Sequence, residues 1–196
     1  MKQIFTLFLL LINYLVFSQD QVSYKVLCKD LLSKSGQSFL DLKNDESIRF
    51  ANEALSLATH NSDNEFAAKA YNLIGLNYAD FSDLSKAIEA YKNGIERANL
   101  TNNDTIKSWL TNNLANTYCY NELDFNEGVK YYKIALKFAE KLNDDSEIVF
   151  TKLNLVSRSE DVGQVFTYSE TYLKKKKFKL SDIVKMIKAI ENDKAQ

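Results

Sequence analysis

Few side chains in this sequence could do chemistry. His60 is the only histidine, and Cys28 and Cys119 are the only cysteines. A general base needs a nucleophile and an orienting carboxylate within reach, in a pocket that excludes water. Asp63 is near His60, but both fall in a short polar stretch between apolar-periodic segments, which predicts a solvated loop. Two cysteines cannot build a multi-cysteine zinc site or a disulfide-dense scaffold. Cys28 and Cys119 are expected as small, buried or half-buried residues too far apart to bridge. The alternative is an exposed Cys28 that pairs between molecules. The acids are scattered, and no pair is flanked by the aromatic platform or glycine-rich loop of a sugar or nucleotide site. Asn143-Asp144-Asp145 lacks the regular oxygen ligands and closing glutamate of a calcium loop, and reads as a loop ending in a helix cap. These residues predict no catalytic group, no metal site and no cofactor.

Charge narrows the partners. The chain has 25 basic and 26 acidic residues and a net charge of −1. A phosphate backbone requires a basic face, so nucleic acid is not an expected partner. The one charge run is Lys174 to Lys177 with Lys179. Lysines at a helix end meet its exposed carbonyls favourably; the other reading is a contact with an acidic partner or an anionic lipid surface.

The elements that would position these residues are helices. The chain is 45% hydrophobic and 26% charged, which argues against disorder, and it has five glycines and no proline. Domains rich in tight turns need more of both. Helices joined by polar turns do not, because Asn, Asp and Ser can end and cap them. At the N-terminus, Met1-Lys2 precedes an apolar stretch from Ile4 to Phe17 that ends at Ser18-Gln19. The stretch is shorter than the roughly 20 residues of a spanning helix. It has the charged start, apolar middle and small-residue end of a secretory signal peptide. Residues 1–18 are thus expected to be cleaved near Ser18-Gln19, leaving an exported protein, periplasmic or secreted, with no transmembrane span. An uncleaved anchor is the alternative.

A unit recurs along the rest. In Ala68 to Ala98, Tyr71, Ile74, Gly75 and Tyr78 recur at helical spacing, then Ala87, Ile88, Tyr91, Gly94, Ile95 and Ala98 do so after a short polar turn. Downstream, Thr111, Leu114, Ala115 and Tyr118 are followed by Gly128, Val129, Tyr132, Ala135, Leu136 and Ala139. Upstream, Leu32, Ser35, Gly36 and Phe39 precede Ser47, Ile48, Ala51, Ala54, Leu55 and Ala58. Gly36, Gly75 and Ala115 mark a period near 40. Asp63, Asp104 and Asp145 are the expected N-caps of the following helices.

The in-register small and aromatic residues resemble the tetratricopeptide-repeat (TPR) family, whose units carry a Leu-Gly…Tyr first helix and a small-aromatic-small second helix. The period departs from the family's roughly 34 residues, which predicts longer second helices and longer loops, and the family's closing proline is absent. The resemblance implies an all-α, right-handed superhelical solenoid of helix-turn-helix repeats. Residues 19–146 would form three hairpins, and 147–196 a degenerate fourth repeat with a C-terminal capping helix. Gly36, Phe39, Gly75, Tyr78, Ala87, Tyr91, Gly94, Ala115, Tyr118, Gly128, Tyr132 and Ala135 would pack the repeats.

The resemblance also implies a concave groove lined by first helices, where a peptide lies. By register its residues are Asp30, Lys34 and Gln37, then Lys69, Leu73 and Leu76, then Trp109, Asn113, Asn116 and Tyr120. Trp109 either anchors a partner or packs into the core at the start of its helix. Asn113 and Asn116 can donate to and accept from a peptide backbone, or are ordinary surface amides in a chain with 19 asparagines. The function implied is that of a non-catalytic scaffold for another polypeptide. A soluble sensory or accessory component of a signalling system, or a non-catalytic part of an enzyme complex, are the alternatives.

Overall fold

The computed structural model describes residues 24–120 and 124–156. These form an all-helical solenoid of seven consecutive helices, each packed on the next. Helix α1 covers residues 24–40. It is followed by α2 (Asn44–His60), α3 (Asn64–Asp80), α4 (Leu84–Asn99), α5 (Asp104–Tyr120), α6 (Phe125–Leu142) and α7 (Asp145–Val156). Helices α3 and α5 also touch directly, so the odd-numbered helices form a layer of their own.

The period of about 40 arises inside the helices. Helices α2 to α6 are 16–18 residues long, first and second members alike. The links are short: residues 61–63 between α2 and α3, 81–83 between α3 and α4, and 100–103 between α4 and α5. Long inter-repeat loops, expected from the period, are therefore not how the added residues are used. His60 accordingly ends α2 rather than lying in a loop.

The chain stops its helices without glycine or proline. Leu42, Ser62, Ser82 and Asn143 adopt left-handed φ values of 59°, 53°, 60° and 52°. At each, the next residue's N–H reaches back over the turn, as Asp83 N does to Tyr78 O at 2.9 Å and Asp63 N to Ala58 O at 2.8 Å. The left-handed residue itself bonds three positions back, Ser82 N to Ala79 O at 3.0 Å. This pair of bonds is the Schellman ending, which satisfies the last carbonyls of the helix. In three of the turns the residue that closes one helix also caps the next. Asp63 Oδ1 accepts from Glu65 N and Phe66 N, Asp83 Oδ1 from Lys86 N, and Asp144 Oδ1 from Ser146 N and Glu147 N.

Two caps thus differ from expectation by one residue. Helix α7 is capped by Asp144 rather than Asp145, and α5 by Asn103, whose Oδ1 accepts from Ile106 N at 3.2 Å. Asp104 is instead the first residue of α5. Its carboxylate meets Lys141, on α6, and Lys107, and these bonds hold it below the usual carboxylate range.

The core is a line of small contacts rather than one ball. Its largest cluster joins α3, α4 and α5 through Ala68, Ala87, Tyr91, Ala98, Ile106, Leu110 and Leu114. Alanines at the centre let helix backbones approach closely, and a few aromatics fill what remains. Gly75 is the tightest point of the α3–α4 contact: a Cβ there would lie 2.6 Å from Tyr91 Cδ1 and 2.8 Å from Cζ. Gly94 faces Leu110 and Tyr71 in the same way, and Gly128 faces Cys119 and the Ala115 carbonyl. Gly36 does not: nothing lies within 4 Å of its Cβ position. In that first hairpin the close contact is one position earlier, where buried Ser35 and Ser47 exchange hydroxyl-to-carbonyl bonds of 2.9 and 2.8 Å. Cys28 and Cys119 are both buried and neither forms a disulfide, which removes the exposed-Cys28 alternative. No described helix is long and apolar enough to cross a membrane. The expected signal peptide, the partner helix after α7, the capping helix and the lysine run fall outside the described residues.

Candidate functional site

The odd-numbered helices present one stripe each. On α5 most side chains turn inward: Ile106, Leu110, Leu114 and Ala115 are fully buried, and Ser108, Thr111, Asn112 and Thr117 are buried polar groups. What remains toward solvent is narrow. Trp109 is 45% exposed, and Asn113 and Asn116, four and seven positions on, are half-buried on the same stripe. Trp109 is therefore not a core residue.

On α3 the corresponding stripe is Lys69, Leu73 and Leu76, all half-buried. Leu73 leans partly into the core beside Ala51, Ile74 and Ala90. Lys69 pairs with Glu65 at 2.7 Å and its ammonium lies 5.3 Å from the centre of the Phe66 ring. On α1, Asp30, Lys34 and Gln37 are exposed. Lys34 pairs with Asp30 at 2.7 Å, and Gln37 Nε2 donates to Asp41 at 2.9 Å. Exposed pairs of this kind are worth little and are readily exchanged for a partner's groups. Tyr120 is the last residue of α5.

The stripes are tied together by amides. Asn113 Nδ2 donates to Asn72 Oδ1 at 2.9 Å, joining α5 to α3. Asn116 Oδ1 accepts from the Tyr132 hydroxyl and from Asn154 Nδ2 at 3.4 Å, joining α5 to α6 and α7. A similar link at the other end of the array runs from Asn77 Nδ2 to Ser47 Oγ at 2.8 Å. The Asn113 nitrogen and the Asn116 oxygen are thus already engaged, and the expectation that both amides are offered whole to a peptide backbone does not hold. They set the spacing of the odd helices. Asn72 and Asn154 are the partners that sequence reasoning missed; the signal available was asparagines 41 and 38 positions away from the two that it singled out.

Titration is perturbed mainly at structural positions. Burial, then the Asp63 carboxylate that accepts the Tyr24 hydroxyl at 3.1 Å, pushes Tyr24 up to about 12. Burial alone raises Tyr91. Burial and the nearby Asp144 raise Glu147. Tyr24 lies in the same buried cluster as Cys28, and among the described residues no three His, Cys, Asp or Glu side chains are grouped to hold an ion. The face can offer an apolar anchor, flanking leucines, and exchangeable charges.

Fold and contacts together define an all-helical repeat protein in which amide bonds join α3 to α5 and α5 to α7. No known family model matches the chain, and no curated protein is similar to it.

Proposed function

We propose that this chain is an exported scaffold of the TPR type, which binds another polypeptide along the odd-helix face and does no chemistry itself. The observation that carries the reading is the 45% exposure of Trp109 on a helix that otherwise turns most of its side chains inward. A water-facing indole is apolar area that a partner can cover, and interface energy concentrates on such anchors. The surroundings favour an extended or helical peptide over a small molecule. The stripes cross three helices at roughly 8–10 Å each, and they change from charged on α1 to apolar on α3 and aromatic on α5.

Trp109 is also the chain's only tryptophan, so its emission reports this face alone. The mature protein is used to capture polypeptides from the exported fraction, and each is titrated while Trp109 emission is followed. A groove ligand shifts the emission to the blue and shields it from acrylamide, and Trp109→Ala weakens it about tenfold or more. A ligand that binds Trp109→Ala as tightly as the parent, with unchanged emission, rules out this face. Intact mass tests export: Gln19 is the expected first residue, and a protein retaining Met1 in the cytosol refutes it.

A further inference from the structure

The turns of the first two described hairpins form a second surface, away from Trp109. Leu42 and Phe81 are 82% and 50% exposed. They line one open cleft of about 400 Å³ together with Lys43, Asn44, Asp45 and Glu46. Three observations distinguish this cleft from an ordinary turn. First, Leu42 holds the left-handed position that Ser62, Ser82 and Asn143 hold in the other turns. A leucine there bears the steric cost of that conformation and leaves its apolar side chain in water. Second, Asn44 is only 8% exposed, its Nδ2 donates to the Asp80 carboxylate, and its Oδ1 has no partner. A buried amide oxygen without a donor is costly, and Asn44 is one of the residues that line the cleft. Third, Asp45 and Glu46 line the cleft beside Lys43, and Asp80 is held at it by Asn44; Arg49 pairs mainly with Glu53, at 2.8 Å, and reaches Glu46 only at 3.8 Å.

We infer that this turn edge docks a cationic segment of a partner polypeptide, one with an apolar side chain next to lysine or arginine. The apolar side chain lies between Leu42 and Phe81. The cation faces Asp45 and Glu46. The acidic rim repels anionic lipid and nucleic acid, so charge selects a basic peptide. The inference uses no residue of the odd-helix face and stands apart from the function proposed for it.

The probe is a fluorescein-labelled Lys-Leu-Lys-Phe-Lys-Leu peptide, titrated by anisotropy against the mature full-length chain, beside a counterpart with Glu in place of Lys. Only the basic peptide is expected to bind. Phe81→Ser is expected to weaken it about tenfold or more. Leu42→Gly, which removes the other apolar wall where glycine is favoured, gives a second variant that keeps the fold. Asp45→Asn with Glu46→Gln weakens binding mainly at low salt and flattens its salt dependence. Trp109→Ala leaves it unchanged. The inference is overturned if the basic peptide does not bind, if both peptides bind alike, or if the folded variants bind as the parent does. Self-association in sedimentation that Phe81→Ser abolishes also overturns it, by giving the surface to a second copy.

Discussion

Gly75→Ala and Gly36→Ala add the same methyl group to helices of the same kind, and the structure assigns them opposite signs. Neither glycine has positive φ, so alanine is sterically allowed at both, and in a helix interior it is favoured by about 1 kcal/mol. At Gly36 that term acts alone, because nothing lies within 4 Å of the new atom. At Gly75 the methyl meets the Tyr91 ring, with Cδ1 at 2.6 Å and Cζ at 2.8 Å. Comfortable carbon contacts are about 3.5–4.0 Å, so ring and helix must part by roughly 1 Å. Tyr91 is 1% exposed and its ring is rigid, which leaves separation of α3 from α4 as the response. Overpacking of this kind costs about 1–3 kcal/mol. Against the helix gain, a net loss of up to about 2 kcal/mol is expected at Gly75 and a gain of about 1 kcal/mol at Gly36. At about 2–4 °C per kcal/mol for a chain of this size, the two midpoints should separate by roughly 2–12 °C. Thermal and urea unfolding followed by far-UV circular dichroism measure both. Tyr91→Leu should relieve part of the Gly75→Ala penalty, appearing as a favourable coupling in the double-mutant cycle. If Gly75→Ala stabilises the protein as Gly36→Ala does, the close approach of α3 and α4 at this point is refuted.

The turn chemistry makes further tests. Leu42→Gly and Ser82→Gly remove the left-handed cost of a side chain at φ 59° and 60°, and each should raise stability by about 1 kcal/mol in urea unfolding; a loss at both sites would contradict the assigned turn geometry. Asp144→Ala should cost about 1 kcal/mol by removing the α7 cap, while Asp145→Ala, inside the helix, should cost less; equal losses would return the cap to an unassigned state. For pH, Tyr24 is protonated in the folded protein up to about 12, against an ordinary value of 10.0. The unfolded chain therefore ionises first, and stability falls as pH rises from about 10 to about 12. Tyr24→Phe should flatten unfolding midpoints across that window, leaving contributions in the same direction from other raised groups, Tyr91 and Tyr131 among them; an unchanged slope would mean that the Tyr24–Asp63 bond is not made.

The parts of the fold that could be read in advance share a physical cause. Where two backbones approach closely, only a small residue fits, so Gly75, Gly94 and Gly128 are forced by geometry and stand out at helical spacing. Gly36 has the same spacing without the same reason. In its hairpin a pair of serines makes the contact and satisfies its hydroxyls on the facing carbonyls, and periodicity cannot tell a glycine that is needed from one that is tolerated. The caps fail in a similar way. Asn103-Asp104 and Asp144-Asp145 each offer two adjacent side chains able to cap, and the choice rests on which one the preceding turn leaves outside the helix. Before Asp144 that turn is set by the left-handed Asn143, whereas residues 100–103 include no positive-φ residue.

The candidate face was legible as a stripe but not as a set of free groups. Spacing puts Trp109, Asn113 and Asn116 on one side of α5 and cannot say what their amides already hold. That depends on Asn72 and Asn154 in the neighbouring odd helices, at offsets that a forty-residue period does not resolve. The consequence for binding is specific. An amide that spaces two helices cannot also be given up to a ligand without cost, because a buried group left unpaired loses its full bond. Affinity on this face must then come from covering Trp109 and the half-buried leucines, with the Asn113–Asn72 and Asn116–Asn154 bonds keeping those apolar groups at a fixed separation. Replacing Asn113 by alanine should accordingly loosen the α3–α5 spacing and weaken a groove ligand indirectly. Replacing Trp109 should weaken the same ligand with the spacing intact. The two effects are distinguishable because only the first should lower the stability of the protein without ligand.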